Sequence, residues 1–162
     1  MCIRRVAVSD RKRVVVINDT KEILELFRDV LEGELGHEVI LMSFAPDELN
    51  RIVENKPDLV VIDFVIGERE MEGWQLLQKM RMHRETAGIP IVACTAAVRQ
   101  VRESEAYLLE QGIEVVLKPF TIDQLEGAVQ RALQLGEGEP PLVQRNRQGG
   151  QADGEAPSTA AR

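Results

Sequence analysis

Leu59-Val60-Val61-Ile62 is a run without a polar residue, and a carboxylate, Asp63, follows it directly. A strand with one face in water alternates apolar and polar side chains. An uninterrupted β-branched run therefore reads as a strand buried on both faces, which is the condition of a parallel sheet sandwiched between helices. In such open α/β sheets, ligands sit outside the carboxyl ends of the strands, so Asp63 is expected at the edge where chemistry happens. An aspartate after a strand more often only caps a turn or a helix. Reading Asp63 as reactive depends on what the other strands deliver beside it.

Four further runs repeat the pattern. Arg13 to Ile17 leads to Asn18-Asp19-Thr20, and Thr20 or Asp19 can cap a helix in which Ile23, Leu24, Phe27, Val30 and Leu31 recur at helical spacing until Gly33 to Gly36 ends it. Glu38 to Met42 is a second strand that brings no reactive group. Pro46 suits the first turn of the next helix, whose stripe is Leu49, Ile52 and Val53 and whose end is Asn55-Lys56-Pro57. After Asp63 a polar loop leads to Gly73, expected to open a helix with Trp74, Leu76, Leu77 and Met80 inward. Ile91 to Cys94 ends in Thr95. The following helix, Ala96 to Gln111, carries Val98, Val101, Leu108 and Leu109 and closes at Gly112. Ile113 to Leu117 ends in Lys118, and Thr121 is the N-cap of a last helix reaching Leu135.

Strands alternating with helices imply right-handed crossovers and a parallel sheet. The expected fold is a flavodoxin-like, doubly wound (βα)5 domain with strand order 2-1-3-4-5, because only the second strand carries nothing to the common edge. The domain is expected over residues 13–135. Residues 1–12 read as a flexible lead, and residues 136–162, rich in Gly, Pro, Gln and charge, as a disordered tail.

Composition narrows the function classes. A net charge of -7 opposes a nucleic-acid footprint. Cys2 and Cys94 form no CxxC pattern, His37 and His83 have no ligand spacing and are expected at the surface, and no apolar run is long enough to cross a bilayer. A cytoplasmic protein without membrane or direct nucleic-acid partners is expected.

Asp19, Asp63, Thr95 and Lys118 thus project from one edge. Two carboxylates favour a hard cation such as Mg²⁺, which keeps several waters and needs one or two carboxylates plus a phosphate oxygen. An ammonium and a hydroxyl complete a site suited to a phosphoryl group, with Asp63 as nucleophile.

From about Arg13 to Leu135 the chain resembles the receiver domain of bacterial two-component response regulators, carried by Asn18-Asp19, Asp63, Thr95-Ala96 and Lys118-Pro119-Phe120. The resemblance implies phosphoryl transfer to Asp63 from a sensor histidine kinase, a phosphotransfer protein or a small phosphodonor. It implies Mg²⁺ held by Asp19, Asp63 and the backbone carbonyl of Val65, and a cis peptide between Lys118 and Pro119. No effector segment follows Leu135, so the expected output is protein binding on the face of the fourth helix, fifth strand and fifth helix, which in the family also mediates dimerisation. The only catalysis implied is the domain's own phosphorylation and dephosphorylation.

Three positions depart from the family pattern. Asn18 stands where an acid is usual and is expected to act weakly on the metal, through water. The loop from Ile66 to Glu72 is about two residues longer and lacks a proline. Val115 replaces the aromatic residue that turns inward on activation, and Tyr107 is an ordinary helix-surface aromatic. These departures favour the alternative, a pseudo-receiver that binds a partner regardless of phosphate. A flavodoxin-type cofactor protein is disfavoured by the acidic Asn18 to Glu22 segment, where a phosphate cradle would be needed.

Overall fold

The computed structural model describes residues 11–45, 47–63 and 70–137. Five strands, β1 (Arg13–Ile17), β2 (Glu38–Met42), β3 (Leu59–Asp63), β4 (Ile91–Thr95) and β5 (Ile113–Leu117), form one parallel sheet in the order β2-β1-β3-β4-β5. Between and after them run α1 (Lys21–Arg28), α2 (Glu48–Asn55), α3 (Glu70–Met82), α4 (Val98–Glu110) and α5 (Ile122–Glu137). The fold expected from the strand runs is the fold observed. The lead over residues 1–10 and the tail beyond 137 lie outside the described residues, as do Pro46 and residues 64–69.

Side chains alternate across each strand, and the two sets build two cores. On one face Val14, Val16, Leu59, Val61, Val92 and Val116 meet Phe27, Val30 and Leu31 and, from α5, Leu125, Ala128, Val129 and Ala132. On the other face Val15, Ile17, Val60, Ile62, Ile91 and Ala93 meet Ile52 of α2, Leu76, Leu77 and Met80 of α3, and Leu108 of α4. The strand runs are unbroken in sequence because both sets are buried.

Gly112 ends α4 at φ +64°, a left-handed conformation that a Cβ resists. α2 ends on Lys56, also left-handed, whose N–H bonds the carbonyls of Ile52 and Val53 before Pro57. At the start of α2 the Glu48 carboxylate accepts the Ala45 N–H at 3.1 Å, which accounts for this buried acid. α5 opens on a reciprocal cap in which Thr121 Oγ1 accepts from the Gln124 N–H and Gln124 Oε1 from the Thr121 N–H.

Several local expectations are corrected. α1 does not run unbroken to the glycines. It passes into a π-helical segment, Asp29–Glu34, and periodicity carries no mark of the wider turn. Thr20 sits at the N-cap of α1, but its side chain makes no capping bond. α3 starts at Glu70, so Gly73 lies inside its first turn rather than opening it. In α4 Leu108 is buried, whereas its neighbour Leu109, 70% exposed, points away, since adjacent helical residues are about 100° apart. His37 is not a surface residue. It is only 9% exposed, with Nδ1 accepting the Lys12 backbone N–H at 3.4 Å beneath the sheet. α5 extends two residues past the expected Leu135.

Candidate functional site

The strand register decides which residues meet. Ile17 lies level with Ile62, which puts Asn18 beside Asp63 on neighbouring strands, and Asp63 lies level with Cys94. Thr95 lies level with Leu117, so Lys118 follows immediately beyond it, its N–H bonded to the Thr95 carbonyl at 2.9 Å. β1 is likewise prolonged past its end, the Asn18 N–H bonding the Met42 carbonyl at 3.0 Å.

Asp63 is fully buried at the top of β3. Its Oδ1 is ion-paired with the Lys118 ammonium, and its Oδ2 accepts a hydrogen bond of 2.8 Å from Asn18 Nδ2. Burial pushes the carboxyl above its ordinary range, while Lys118 and the Asn18 amide pull it back only in part. The Lys118 side chain is 29% exposed against 1% for Asp63, so the cation spans the distance from solvent to a buried anion. Asp19 is exposed, and its Oδ1 accepts the Phe44 N–H at 3.0 Å, tying the loop after β2 to the same edge. Thr95 is buried, its Oγ1 accepting the Ala97 N–H at 3.0 Å. The Lys118-Pro119 peptide is cis, as the resemblance implied.

Asn18, Asp63 and Lys118 are therefore in direct contact, with Asp19 one residue from Asn18 and Thr95 joined to Lys118 through the backbone. Val65 lies outside the described residues. The direct bond from Asn18 to Asp63 was not legible in sequence, where Asn18 was expected to act through water. Cys94 adjoins the site, but burial, and next the Asp63 charge, push its thiol far above the ordinary range, so it stays a protonated, inert core residue.

The donor set fits Mg²⁺. Asp63 and Asp19 rise from adjacent strands, and among the described residues no group of three His, Cys, Asp or Glu side chains forms a closed cage. Mg²⁺ takes one or two carboxylates and retains waters, so two acids meet its requirement.

A family model described as "Response regulator receiver domain" matches residues 14–130. The DNA-binding response regulator MtrA of Mycolicibacterium smegmatis is 30% identical over 131 residues, covering 80% of this chain and 54% of that protein. The chain thus spans about half the length of this relative. Among solved structures, the chemotaxis response regulator CheY4 of Vibrio cholerae superposes with a TM-score of 0.62 at 21% identity, covering 75% of this chain and 98% of that one. The receiver domain of sensor histidine kinase PA1611 from Pseudomonas aeruginosa, solved with a magnesium ion in its active site cleft, gives 0.62 at 21% identity, covering 76% and 98%. At these identities the two structures speak for the fold.

Proposed function

The chain belongs to the response regulator receiver family, whose domains serve phosphorylation-controlled signalling, and from that premise we propose that Asp63 is its phosphoacceptor. The observation that carries this reading is the pairing of the buried Asp63 carboxylate with the Lys118 ammonium at the carboxyl edge of the sheet. Burying a carboxylate costs several kcal/mol in the absence of compensation, and here Lys118 and Asn18 supply that compensation at the edge of the sheet where ligands bind.

In the proposed reaction an Asp63 oxygen attacks phosphorus. The P–N bond of a phosphohistidine, or the P–O bond of an acyl phosphate, breaks, and its electron pair leaves with the donor. Asn18 and Lys118 hold the nucleophile, and Lys118 neutralises charge that shifts onto the phosphoryl oxygens. The Thr95 hydroxyl donates to one of those oxygens. Mg²⁺, when bound by Asp19, Asp63 and the Val65 carbonyl, supplies further charge neutralisation.

The phosphoryl donor is a histidine kinase, a phosphotransfer protein or a small phosphodonor. The output surface is the α4/β5/α5 face, where a groove of about 520 Å³ is lined by Val115, Val116, Leu117, Asp123, Gln124 and Arg131. Leu117 and Ile122 are exposed there. Val115 is half-buried in this groove, so phosphorylation is read out by repacking of aliphatic side chains rather than by a turning ring. Whole-protein output and homodimerisation belong to the same proposal.

Beryllium trifluoride, a phosphoryl mimic, tests the switch through amide chemical shifts. With Mg²⁺, shifts are expected around Asp63, Thr95 and Lys118 and along β5, and none in Asp63→Asn. An unmoved spectrum in the wild type would instead support the pseudo-receiver, which Asn18 and Val115 favour.

A further inference from the structure

Asn18 is a buried polar side chain that holds the nucleophile without itself touching the phosphoryl group, and both ends of its amide are engaged. It is 1% exposed. Its Oδ1 accepts the backbone N–H of Thr20, and its Nδ2 donates to Asp63 Oδ2 at 2.8 Å. The orientation is dictated by chemistry: the Thr20 N–H needs an acceptor, so the oxygen faces Thr20 and the NH₂ faces the carboxylate.

We infer that Asn18 is a positioning residue that, together with Lys118, fixes the Asp63 carboxylate without a metal ion. Its amide oxygen already accepts from Thr20 and its nitrogen has no lone pair to offer a metal, so the side chain keeps only one lone pair on a neutral oxygen where an acid would present a charged one. With Lys118 on the other oxygen, Asp63 is held at both oxygens by the protein itself. An aspartate at position 18 would place a second carboxylate against Asp63, and two such anions exclude one another unless a cation lies between them. The amide removes that requirement, so the fold of the metal-free protein depends little on Mg²⁺, and Mg²⁺ is bound more weakly than it would be by an acid at this position. The part concerning Mg²⁺ rests on the reading of Asp19 and Asp63 as its ligands.

The test compares full-length wild type, Asn18→Asp and Asn18→Ala by thermal unfolding in EDTA and in Mg²⁺, with Mg²⁺ affinity from calorimetric titration. Asn18→Asp is expected to unfold at lower temperature than wild type in EDTA, to recover that loss in Mg²⁺, and to bind Mg²⁺ about tenfold tighter, the size of one added carboxylate contact of ~1.4 kcal/mol. Asn18→Ala, which loses the amide and adds no charge, is expected to be weakened in both buffers without rescue. A merely structural asparagine would lose stability in both variants alike and leave the Mg²⁺ affinity unmoved, and that result overturns the inference.

Should Asn18→Asp not fold, the side-chain amide of Asn18 in wild type decides. Slow solvent exchange of its protons in EDTA, with a shift in Asp63→Asn, is expected, and rapid exchange in EDTA overturns the inference. Phosphoryl acceptance by the same wild-type sample is scored separately. A protein that accepts no phosphoryl group but shows these Mg²⁺ responses overturns the proposed switch alone, and the converse overturns only the role given to Asn18.

Discussion

Two buried ionisable side chains lie at opposite edges of the sheet. Asp63 is at the carboxyl edge, compensated by Lys118 and Asn18. His37 is at the amino edge, where burial, and next the Lys12 charge, hold the imidazole below its ordinary value against a smaller opposing pull from Asp58. With a depressed folded value, the unfolded chain binds more protons than the native one as pH falls below 6.5. Stability therefore rises with pH across that window and is lost as pH falls through it. Between about pH 7.5 and pH 5 the wild type is expected to lose more stability than His37→Asn, measured as denaturant midpoints at each pH. Equal losses would show that His37 titrates alike in both states. At this scale the placement of Asp63, Thr95 and Lys118 at the carboxyl edge was legible in sequence because each ends a strand or directly follows one, and that of Asp19 because it stands two residues past β1. The burial of His37 was not, because Lys12 closes over it from a segment without pattern. The Asn18 contact was not either, because it depends on where the Thr20 N–H points.

The elements were legible where one period dominates. β1, β3 and β4 are built on apolar runs because each lies between two strands and between two helical layers; β1 has the expected bounds, and β4 runs one residue further than expected to include Thr95. Helix ends were less legible, since caps depend on backbone angles. Two glycines show the difference and predict opposite outcomes. Gly112 is left-handed with open space around its missing Cβ, so Gly112→Ala is expected to cost about 1 kcal/mol from conformation alone. Gly33, in the π-helical segment, has ordinary dihedrals and equally open space. Gly33→Ala is therefore expected to stabilise by roughly 0.5–1 kcal/mol through a stiffer unfolded chain. Urea midpoints of the two variants check the signs, and a neutral Gly112→Ala would contradict the αL assignment. The π-helical segment itself has no counterpart in the sequence pattern.

At the scale of the molecule, the order β2-β1-β3-β4-β5 places the chain reversal between β1 and β3, where Asn18, Asp19 and Asp63 stand. β2, an outer strand, brings no reactive side chain, and its Val39 N–H bonds the Glu32 carboxylate at 3.3 Å. β5 is the other edge, and α5 reaches over it through Arg131 and Glu114 at 3.1 Å. That ion pair is largely exposed and is worth only a few tenths of a kcal/mol. The lysine at the end of β5 reaches the aspartate at the end of β3 across β4, so the edge of the sheet that houses the site adjoins the groove proposed for output. This continuity suits a switch, because a charge added at Asp63 acts on Lys118 and through its backbone on β5. No helix among the described residues is long and apolar enough to cross a membrane.

Intact mass after incubation with acetyl phosphate, with and without Mg²⁺, tests the assignment of Asp63 most directly when wild type and Asp63→Asn are run side by side. A gain of one phosphoryl group in wild type, promoted by Mg²⁺ and absent from Asp63→Asn, is the expected result. The same gain in Asp63→Asn would place the acceptor elsewhere. No gain in wild type, from acetyl phosphate or from a panel of phosphorylated histidine kinases, would contradict the switch and leave a receiver fold that binds its partner without phosphate.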